Sequence, residues 1–173
     1  MNRISKEKLI PFSLAAIVIF FDQISKAFIA TNWPRPGTII KDVFDNSLLI
    51  ICHVRNKAIA FSLGENIPDQ FRYVLFVIVP IVVLILLIVY YFMAVDFTSL
   101  QRWAIAGIIG GGFGNIIDRI FRSEGVVDFI SVKFYGLFGL ERWPTFNIAD
   151  SSVVVSCIIL LITLIKPGSQ QDG

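Results

Sequence analysis

The segment Tyr73-Val-Leu-Phe-Val-Ile-Val-Pro-Ile-Val-Val-Leu-Ile-Leu-Leu-Ile-Val-Tyr-Tyr-Phe-Met-Ala-Val95 decides the fold of this chain. It contains no charged residue, and it matches the ~20 apolar residues that an α-helix needs to cross the hydrocarbon core of a bilayer. The segment therefore predicts a transmembrane helix, and the rest of the sequence has to be interpreted around a membrane.

Three further apolar runs approach the same length, at about residues 9–30, 102–121 and 148–165. Together with residues 73–95 they predict an all-α polytopic membrane protein with four transmembrane helices. No linker, low-complexity tract or internal repeat interrupts the sequence. We therefore expect one membrane-embedded domain over residues 1–173.

The composition supports a membrane protein. The 173 residues are 55% hydrophobic and only 16% charged, and the mean hydropathy is +0.76. Soluble domains are roughly 45–50% apolar and about 25% charged. The formal charge of +2 comes from scattered basic residues, so we do not expect a nucleic-acid partner.

The cysteine and histidine residues do not predict a disulfide or a metal site. Cys52 and Cys157 are expected to lie too far apart to form a disulfide, and both are expected to be inert. His53 has no Cys or His cluster near it, which predicts a loop residue and not a metal ligand.

The start of the chain, Met1 to Phe21, resembles a signal peptide in placing basic residues before an apolar run. No small-x-small cleavage site follows, so a retained anchor is expected. Asp22 and Lys26 come next, four residues apart and therefore on one face of the first helix.

The two longer connections predict surface structure. Residues 47–54 and 58–63 are β-prone and predict a small extracytoplasmic sheet over about residues 38–64. The connection 122–145 is rich in aromatic residues, which are half wet at the headgroup level. We expect it to form an interfacial segment that lies on the bilayer.

The third span carries a smooth face. Gly107, Gly111, Gly114 and Asp118 are spaced at i, i+4, i+7 and i+11, so they form one helical stripe. Glycines of this kind allow close helix contact in lipid. Asn115 lies beside the stripe, and Arg119 follows Asp118. From spacing alone, this charged end is equally consistent with an interfacial anchor and with a functional site.

Asp128 and Asp150 each occur where an apolar sequence meets the edge of a predicted span. Carboxylates near hydrocarbon are costly and usually functional. If the two approach within ~3 Å, they share one proton, and one pKa rises. The ionised member can then take a proton from water while the neutral one polarises a peptide carbonyl, which is amide hydrolysis without a metal.

Other interpretations of these acids remain open. Asn147 three residues before Asp150 is typical of a helix cap, and Asp128 has the alternative of an exposed loop acid. Ser151 lacks a His or Lys motif to activate it as a nucleophile. A hard-cation site would use the carboxylates of Asp22, Asp118, Asp128 and Asp150.

Other classes of function also use intramembrane polar residues. A small transporter or channel would place Asp, Asn and Arg along an ion path, and a non-catalytic subunit would use the glycine faces for assembly. Orientation is open as well. Basic residues favour the cytoplasmic side of a membrane. Ten of the fifteen Lys and Arg residues lie on the side of the membrane that does not hold the termini, which argues against cytoplasmic termini. The basic residues ahead of the first span favour cytoplasmic termini.

Five motifs together resemble the lipoprotein signal peptidases of bacteria, also called signal peptidase II. Each is weak alone, but five in this order are highly specific. They are Asp22-Gln-Ile-Ser-Lys26, Asn56-Lys-Ala-Ile-Ala-Phe61-Ser, Gly110-Gly-Gly-Phe-Gly114-Asn115-Ile-Ile-Asp118-Arg119, Val127-Asp128-Phe129 and Phe146-Asn147-Ile-Ala-Asp150-Ser151.

The resemblance implies a four-span aspartyl endopeptidase of the cytoplasmic (inner) membrane, with both termini cytoplasmic and the active site near the outer leaflet. It implies that Asp128 and Asp150 form the catalytic dyad, without a metal or other cofactor. The implied supporting or substrate-binding residues are Asp22, Lys26, Asn56, Asn115, Asp118, Arg119 and Asn147.

Family substrates are prolipoproteins whose cysteine already carries diacylglycerol, and cleavage occurs just before that cysteine. We expect a monomer in contact with membrane lipid. The sequence departs from the family pattern at Ala58, where glycine is usual, and this affects the expected turn after Asn56.

Overall fold

The four apolar runs form four long helices in the computed structural model, which describes residues 6–56 and 68–165. The first run is a short helix α1 (Lys6–Leu9) followed by α2 (Phe12–Asn32). The second combines α3 (Asp69–Tyr73), a π-helical turn (Val74–Ile78) and α4 (Val79–Met93). The others are α5 (Ser99–Phe121) and α6 (Ile148–Ile165).

All four are long and apolar enough to cross a membrane. The predicted four-helix fold class is therefore confirmed. The fourth helix matches the predicted span 148–165, and the second ends two residues early, at Met93. Other helix ends extend a few residues beyond the apolar runs into polar sequence. At the start of α5, for example, Thr98 and Gln101 form a capping box, so that helix begins before the predicted span.

Helix α5 is the centre of the bundle because its glycines admit the neighbouring backbones. A Cβ atom on Gly110 would lie 2.8 Å from the Cα atom of Ala15 in α2. A Cβ atom on Gly111 would meet the backbone carbonyl of Ala149 in α6. The predicted stripe thus faces α6 at Gly111, whereas Gly110, which lies outside that stripe, faces α2.

We expect Gly111→Ala to destabilise the protein by about 1–3 kcal/mol, because its methyl group would meet backbone that cannot move aside. The control is Gly112→Ala, whose methyl group would have the flexible Leu84 side chain as its nearest contact. The measurement is thermal unfolding of both variants in the same lipid or detergent. Equal unfolding temperatures for the two variants would contradict this account of the helix contact.

A three-stranded antiparallel sheet covers one end of the bundle, in the order β1 (Ile39–Asp42), β2 (Leu49–Asn56) and β3 (Val126–Val132). The predicted strand at 47–54 corresponds to β2, whereas the one at 58–63 lies outside the described residues. Strand β3 was not predicted. It forms because residues 126–132 find a partner in β2, a long-range pairing that no local pattern reveals.

The sheet also corrects two expectations about single residues. His53 is not a loop residue, since it lies fully buried in β2 with Nδ1 2.6 Å from the Trp33 carbonyl oxygen. Asp128 is not an exposed loop acid, since it lies buried in β3. Cys52 and Cys157 are free, as expected.

The apolar face of the sheet packs on the last turn of α2. Val127 and Phe129 alternate with Asp128 along β3, and they join Ile29 in one buried cluster. Because neighbouring residues of a strand point to opposite faces, the same packing turns Asp128 towards the other face of the sheet. The fold thereby places this carboxylate near the start of α6.

Candidate active site

Asp128 and Asp150 are joined by one residue, Asn147. The Asn147 Nδ2 donates to Asp128 Oδ1 at 2.6 Å, and the Asn147 backbone N–H donates to Asp150 Oδ2 at 3.1 Å. Asn147 Oδ1 in turn accepts the backbone N–H of Asp150 at 3.0 Å. The two carboxylates therefore converge from β3 and from the first turn of α6.

The helix-cap interpretation of Asn147 and Asp150 is correct, and it does not compete with a functional role. The reciprocal bonds between the two residues form a capping box at the start of α6. Since the cap uses Asn147 Oδ1, it fixes the amide so that Nδ2 faces Asp128. The cap thus orients the donor that reaches the second carboxylate.

Every oxygen of the two carboxylates receives an N–H donor. Asp128 Oδ2 accepts from Asn56 Nδ2 at 3.0 Å, and Asp150 Oδ1 accepts from Asn115 Nδ2 at 2.7 Å. Asn56 reaches Asp128 because Val54, its same-face neighbour two residues earlier in β2, pairs directly with Asp128. Both acids are therefore held in fixed orientations by neutral amides.

The environment of Asp128 favours its neutral form. Burial of the side chain, together with the negative charge of Asp150, raises the pKa of Asp128 from 3.8 to about 7. The hydrogen bonds from Asn56 and Asn147 and the charge of Lys26 oppose this shift. A carboxyl group with this pKa is able to give and take a proton near neutral pH.

Lys26 organises the layer beneath the two acids. Its fully buried ammonium lies 2.7 Å from Asp22 Oδ2, 2.9 Å from Asn115 Oδ1 and 3.2 Å from Asp118 Oδ2. An ammonium group only donates, so Asn115 must turn its oxygen to Lys26. Its Nδ2 is then directed at Asp150.

Asp22 and Asp118 tie this layer to the backbone of the neighbouring elements. Asp22 Oδ1 accepts the Ala149 N–H at the start of α6 at 2.9 Å. Asp118 Oδ2 accepts the Val127 N–H at the start of β3 at 3.2 Å. Since Asp118 is fully buried, the anchor interpretation of this residue is wrong. These two carboxylates hold the elements that carry Asp150 and Asp128.

Arg119 belongs to the same region. Its Nη1 lies 3.3 Å from the Asn115 carbonyl oxygen, and its guanidinium interacts electrostatically with Asp150 and Asp128. All predicted site residues are therefore brought together in the described part of the chain. The turn expected after Asn56, with Ala58, lies outside it.

Two contributors were missed at the sequence level. Gln23 Nε2 lies within 3.1 Å of Asp22 Oδ2 and 3.0 Å of Asp118 Oδ1, and Arg122 Nη1 lies 2.6 Å from Asp118 Oδ1. The spacing of Arg122, four residues after Asp118, was the available signal. Gln23 gave none beyond its position next to Asp22.

The carboxylates are not arranged as a cation site. Among residues 6–56 and 68–165, no three His, Cys, Asp or Glu side chains are placed to hold one ion. Asp22 pairs with Lys26, and Asp118 pairs with both Lys26 and Arg122. Asp128 and Asp150 accept hydrogen bonds from amide N–H groups.

A cavity of about 310 Å³ is lined by Asn56, whose Nδ2 donates to Asp128 Oδ2. Asn56 and Arg119 connect its wall to the two acids, and Phe76 and Val77 from the π-helical turn give it an apolar side. Its further lining residues are Arg72, Tyr73, Arg122, Ser123 and Gly125. The wall therefore combines charged, polar and apolar side chains.

A four-helix membrane bundle with two amide-held carboxylates at one end is compatible with a membrane-embedded hydrolase, and the family comparison supplies that class. The sequence model of the family described as signal peptidase (SPase) II matches residues 14–166. The chain belongs to the signal peptidase II family.

Two curated relatives illustrate the similarity. The lipoprotein signal peptidase of Treponema pallidum (strain Nichols) is 42% identical over 166 residues, which are 96% of this chain and 88% of the relative. That of Treponema denticola is 46% identical over 166 residues, 96% of this chain and 94% of the relative. The family expected from the five motifs is confirmed, and a transporter or channel is not favoured.

Solved structures agree with the fold. A bacterial membrane enzyme determined by the in meso method at 2.3 Å resolution has a TM-score of 0.76 at 29% identity, covering 94% of this chain and 92% of that one. A second, at 1.9 Å resolution, has a TM-score of 0.75 at 30% identity, covering 91% and 94%. The helical bundle and its small sheet are thus shared with known membrane enzymes.

Proposed function

We propose that this protein is an aspartic endopeptidase that removes signal peptides from prolipoproteins, with Asp128 and Asp150 as its catalytic dyad. The relatives named lipoprotein signal peptidase support the substrate class. The observation that carries the dyad is the convergence of both carboxylates on Asn147. We further propose a monomer, since one chain supplies both acids and their donors.

The proposed mechanism assigns one shared proton to the pair, held mainly by buried Asp128. Asp150 takes a proton from water, and the resulting hydroxide attacks the scissile carbonyl carbon while Asp128 protonates its oxygen. Asp150 then gives its proton to the leaving nitrogen as the C–N bond breaks, and Asp128 recovers a proton from the tetrahedral diol. The products are a carboxylic acid and an amine, and the dyad returns to its starting state.

The proposed substrate is the prolipoprotein whose cysteine already carries diacylglycerol, cut immediately before that cysteine. The acyl chains can remain in the bilayer while the scissile bond enters beside Asp128. Holding the chains in lipid orients the peptide, which lowers the entropic part of the barrier. Purified protein with a lipidated precursor tests this proposal, and the same precursor without its diacylglyceryl group is the control. Equal cleavage of both would contradict the lipid requirement.

We propose that the sheet and the dyad face the outer leaflet of the inner membrane, with both chain termini in the cytoplasm. The basic residues at the start of α1 support this orientation. They are on the end away from the sheet, since Lys8 Nζ donates to the Phe92 carbonyl oxygen at 2.8 Å near the end of α4. Labelling of Ser47→Cys and Lys6→Cys in intact cells is the test, and only the first is expected to react with a membrane-impermeant thiol reagent.

We expect activity to fall on the alkaline side with an apparent pKa near 7. Above that pH Asp128 loses its proton, so both acids are ionised and neither protonates the carbonyl oxygen. Asn56→Ala should move this limb to higher pH, because the Asn56 hydrogen bond stabilises the ionised form. The measurement is kcat/KM against pH for both proteins. An alkaline limb that stays in place or moves to lower pH would contradict the role of Asn56.

We also predict that the small sheet and the aromatic connection clamp the peptide from above. A photo-crosslinking residue at Leu49 or Trp143 should then capture the substrate, whereas one at lipid-facing Leu86 in α4 should not. Mass spectrometry of the crosslinked precursor is the measurement. If neither position forms a crosslink to the substrate, the predicted clamp is contradicted.

A further inference from the structure

The connection after β3 ends in an exposed apolar tip, residues 134–140, which we name the tip loop. Its Phe138 side chain is 83% exposed, that of Tyr135 69% and that of Leu137 55%. Tyr135 and Phe138 have φ angles of 53° and 54°, a left-handed conformation that is unfavourable for bulky residues. The fold therefore holds two aromatic residues in costly backbone conformations without burying them.

The tip loop lies at the far end of the sheet. β3 leaves the bundle at Val127, whose N–H bonds to Asp118 at the end of α5, and it ends at Val132. Ile130 still packs on the cluster that contains Ile29 of α2 and Ile148 of α6. The strand continues for two residues past this contact, and the tip loop follows.

The base of the tip loop is rigid and basic. Arg142 donates to Ser131 Oγ and to the Ser47 carbonyl oxygen at 2.8 and 2.7 Å, which fixes the loop to β3 and to the turn before β2. Lys133 Nζ lies 5.1 Å from the ring centre of Tyr135. The base of the loop also contains one acidic residue, Glu141, whose carboxylate lies 3.8 Å from Lys133 Nζ. Two cations beside exposed rings match the headgroup level of an anionic leaflet.

We propose that the tip loop inserts Tyr135, Leu137 and Phe138 into the membrane interface and so fixes the height of the sheet above the acyl chains. We choose lipid as the partner of these side chains because the tip loop is connected to a helix with an exposed apolar surface. The chain runs from Leu140 to α6 at Ile148, whose outward side chains already form the lipid-facing surface of the bundle. Only residues 141–147 separate the tip loop from the helix that carries this surface.

Insertion depth is the direct test, and it does not depend on the proposed enzymatic activity. Nitroxide labels are placed at Phe138→Cys, at Glu141→Cys in the base of the loop and at lipid-facing Phe20→Cys in α2, each with Cys157→Ser. The full chain is reconstituted in vesicles of phosphatidylglycerol and phosphatidylethanolamine. We expect the label at 138 to be accessible to oxygen and shielded from a water-soluble nickel chelate, as at 20, and the label at 141 to be accessible to the chelate. Equal chelate access at 138 and 141 would overturn the proposal.

A second measurement asks whether insertion positions the reaction, and it rests on the proposed function. Phe138→Ser should lower turnover of a lipidated precursor by about tenfold in vesicles, because small misplacements of reacting groups are costly. It should leave turnover in detergent micelles unchanged, and Phe138→Trp should behave like the parent in both. Equal losses in vesicles and micelles would contradict a role in positioning, while an inactive parent protein would instead contradict the proposed function.

Discussion

Replacing Asp128 with asparagine is expected to lower the turnover of a lipidated precursor by about 10²–10⁴-fold, the usual contribution of a positioned acid or base. The amide has no proton that it can give to the carbonyl oxygen and recover in the next step. Asp150→Asn should have an effect of similar size, because the amide does not take a proton from water. Both variants should still insert and fold, since Asn147 remains as the cap of α6.

The control for both variants is Asp45→Asn in the turn between β1 and β2. Asp45 is exposed and has a φ angle of 55°, which asparagine tolerates, so this variant should keep the parent activity. The double variant of Asp128 and Asp150 should be no slower than the worse single variant, because residues that act as one unit are not additive. Multiplied losses in the double variant would mean that the acids work separately.

The sequence predicted the helices because a long apolar run indicates a transmembrane helix whichever segments pack against it. It also predicted the site residues, since polar groups beside hydrocarbon are costly and the five motifs resemble a known family. The span boundaries at residues 9 and 102 were less accurate. There, the helices continue through Lys6 and Ser99 into polar sequence.

Pairing between distant residues could not be predicted in the same way. The seven residues of β3 lie within the connection predicted to be an aromatic-rich interfacial segment, and only their ladder with β2 makes them a strand. The buried position of His53 likewise depends on the Trp33 carbonyl, twenty residues earlier in the chain. Local patterns carry little information about such contacts, since β-structure depends on packing context.

The same limit explains why Asp118 remained ambiguous. Its sequence position at the end of a span is equally compatible with an anchor in the headgroups. Lys26 on another helix and the Val127 N–H on β3 make it a buried structural acid. An ion pair between two helices has no signature in spacing, whereas the contact between Asp22 and Lys26 within one helix does.

Replacing Lys26 with methionine is expected to destabilise the protein by about 3–5 kcal/mol, because it leaves buried carboxylates without their cation. Asp22 loses its ion pair, while Asp118 keeps Arg122. Thermal unfolding measures the effect. The control is Lys133→Met, whose pair with exposed Glu141 spans 3.8 Å and should contribute about 0–1 kcal/mol.

A second substitution separates stability from orientation at Lys26. Adding Asp22→Asn to Lys26→Met removes one unpaired carboxylate, so much of the stability should return. Activity should remain low, because no ammonium then holds the oxygen of Asn115 and directs its Nδ2 at Asp150. If activity returned together with stability, Lys26 would be acting only as a counter-ion, and the orientation of Asn115 would have to come from Asn147 alone.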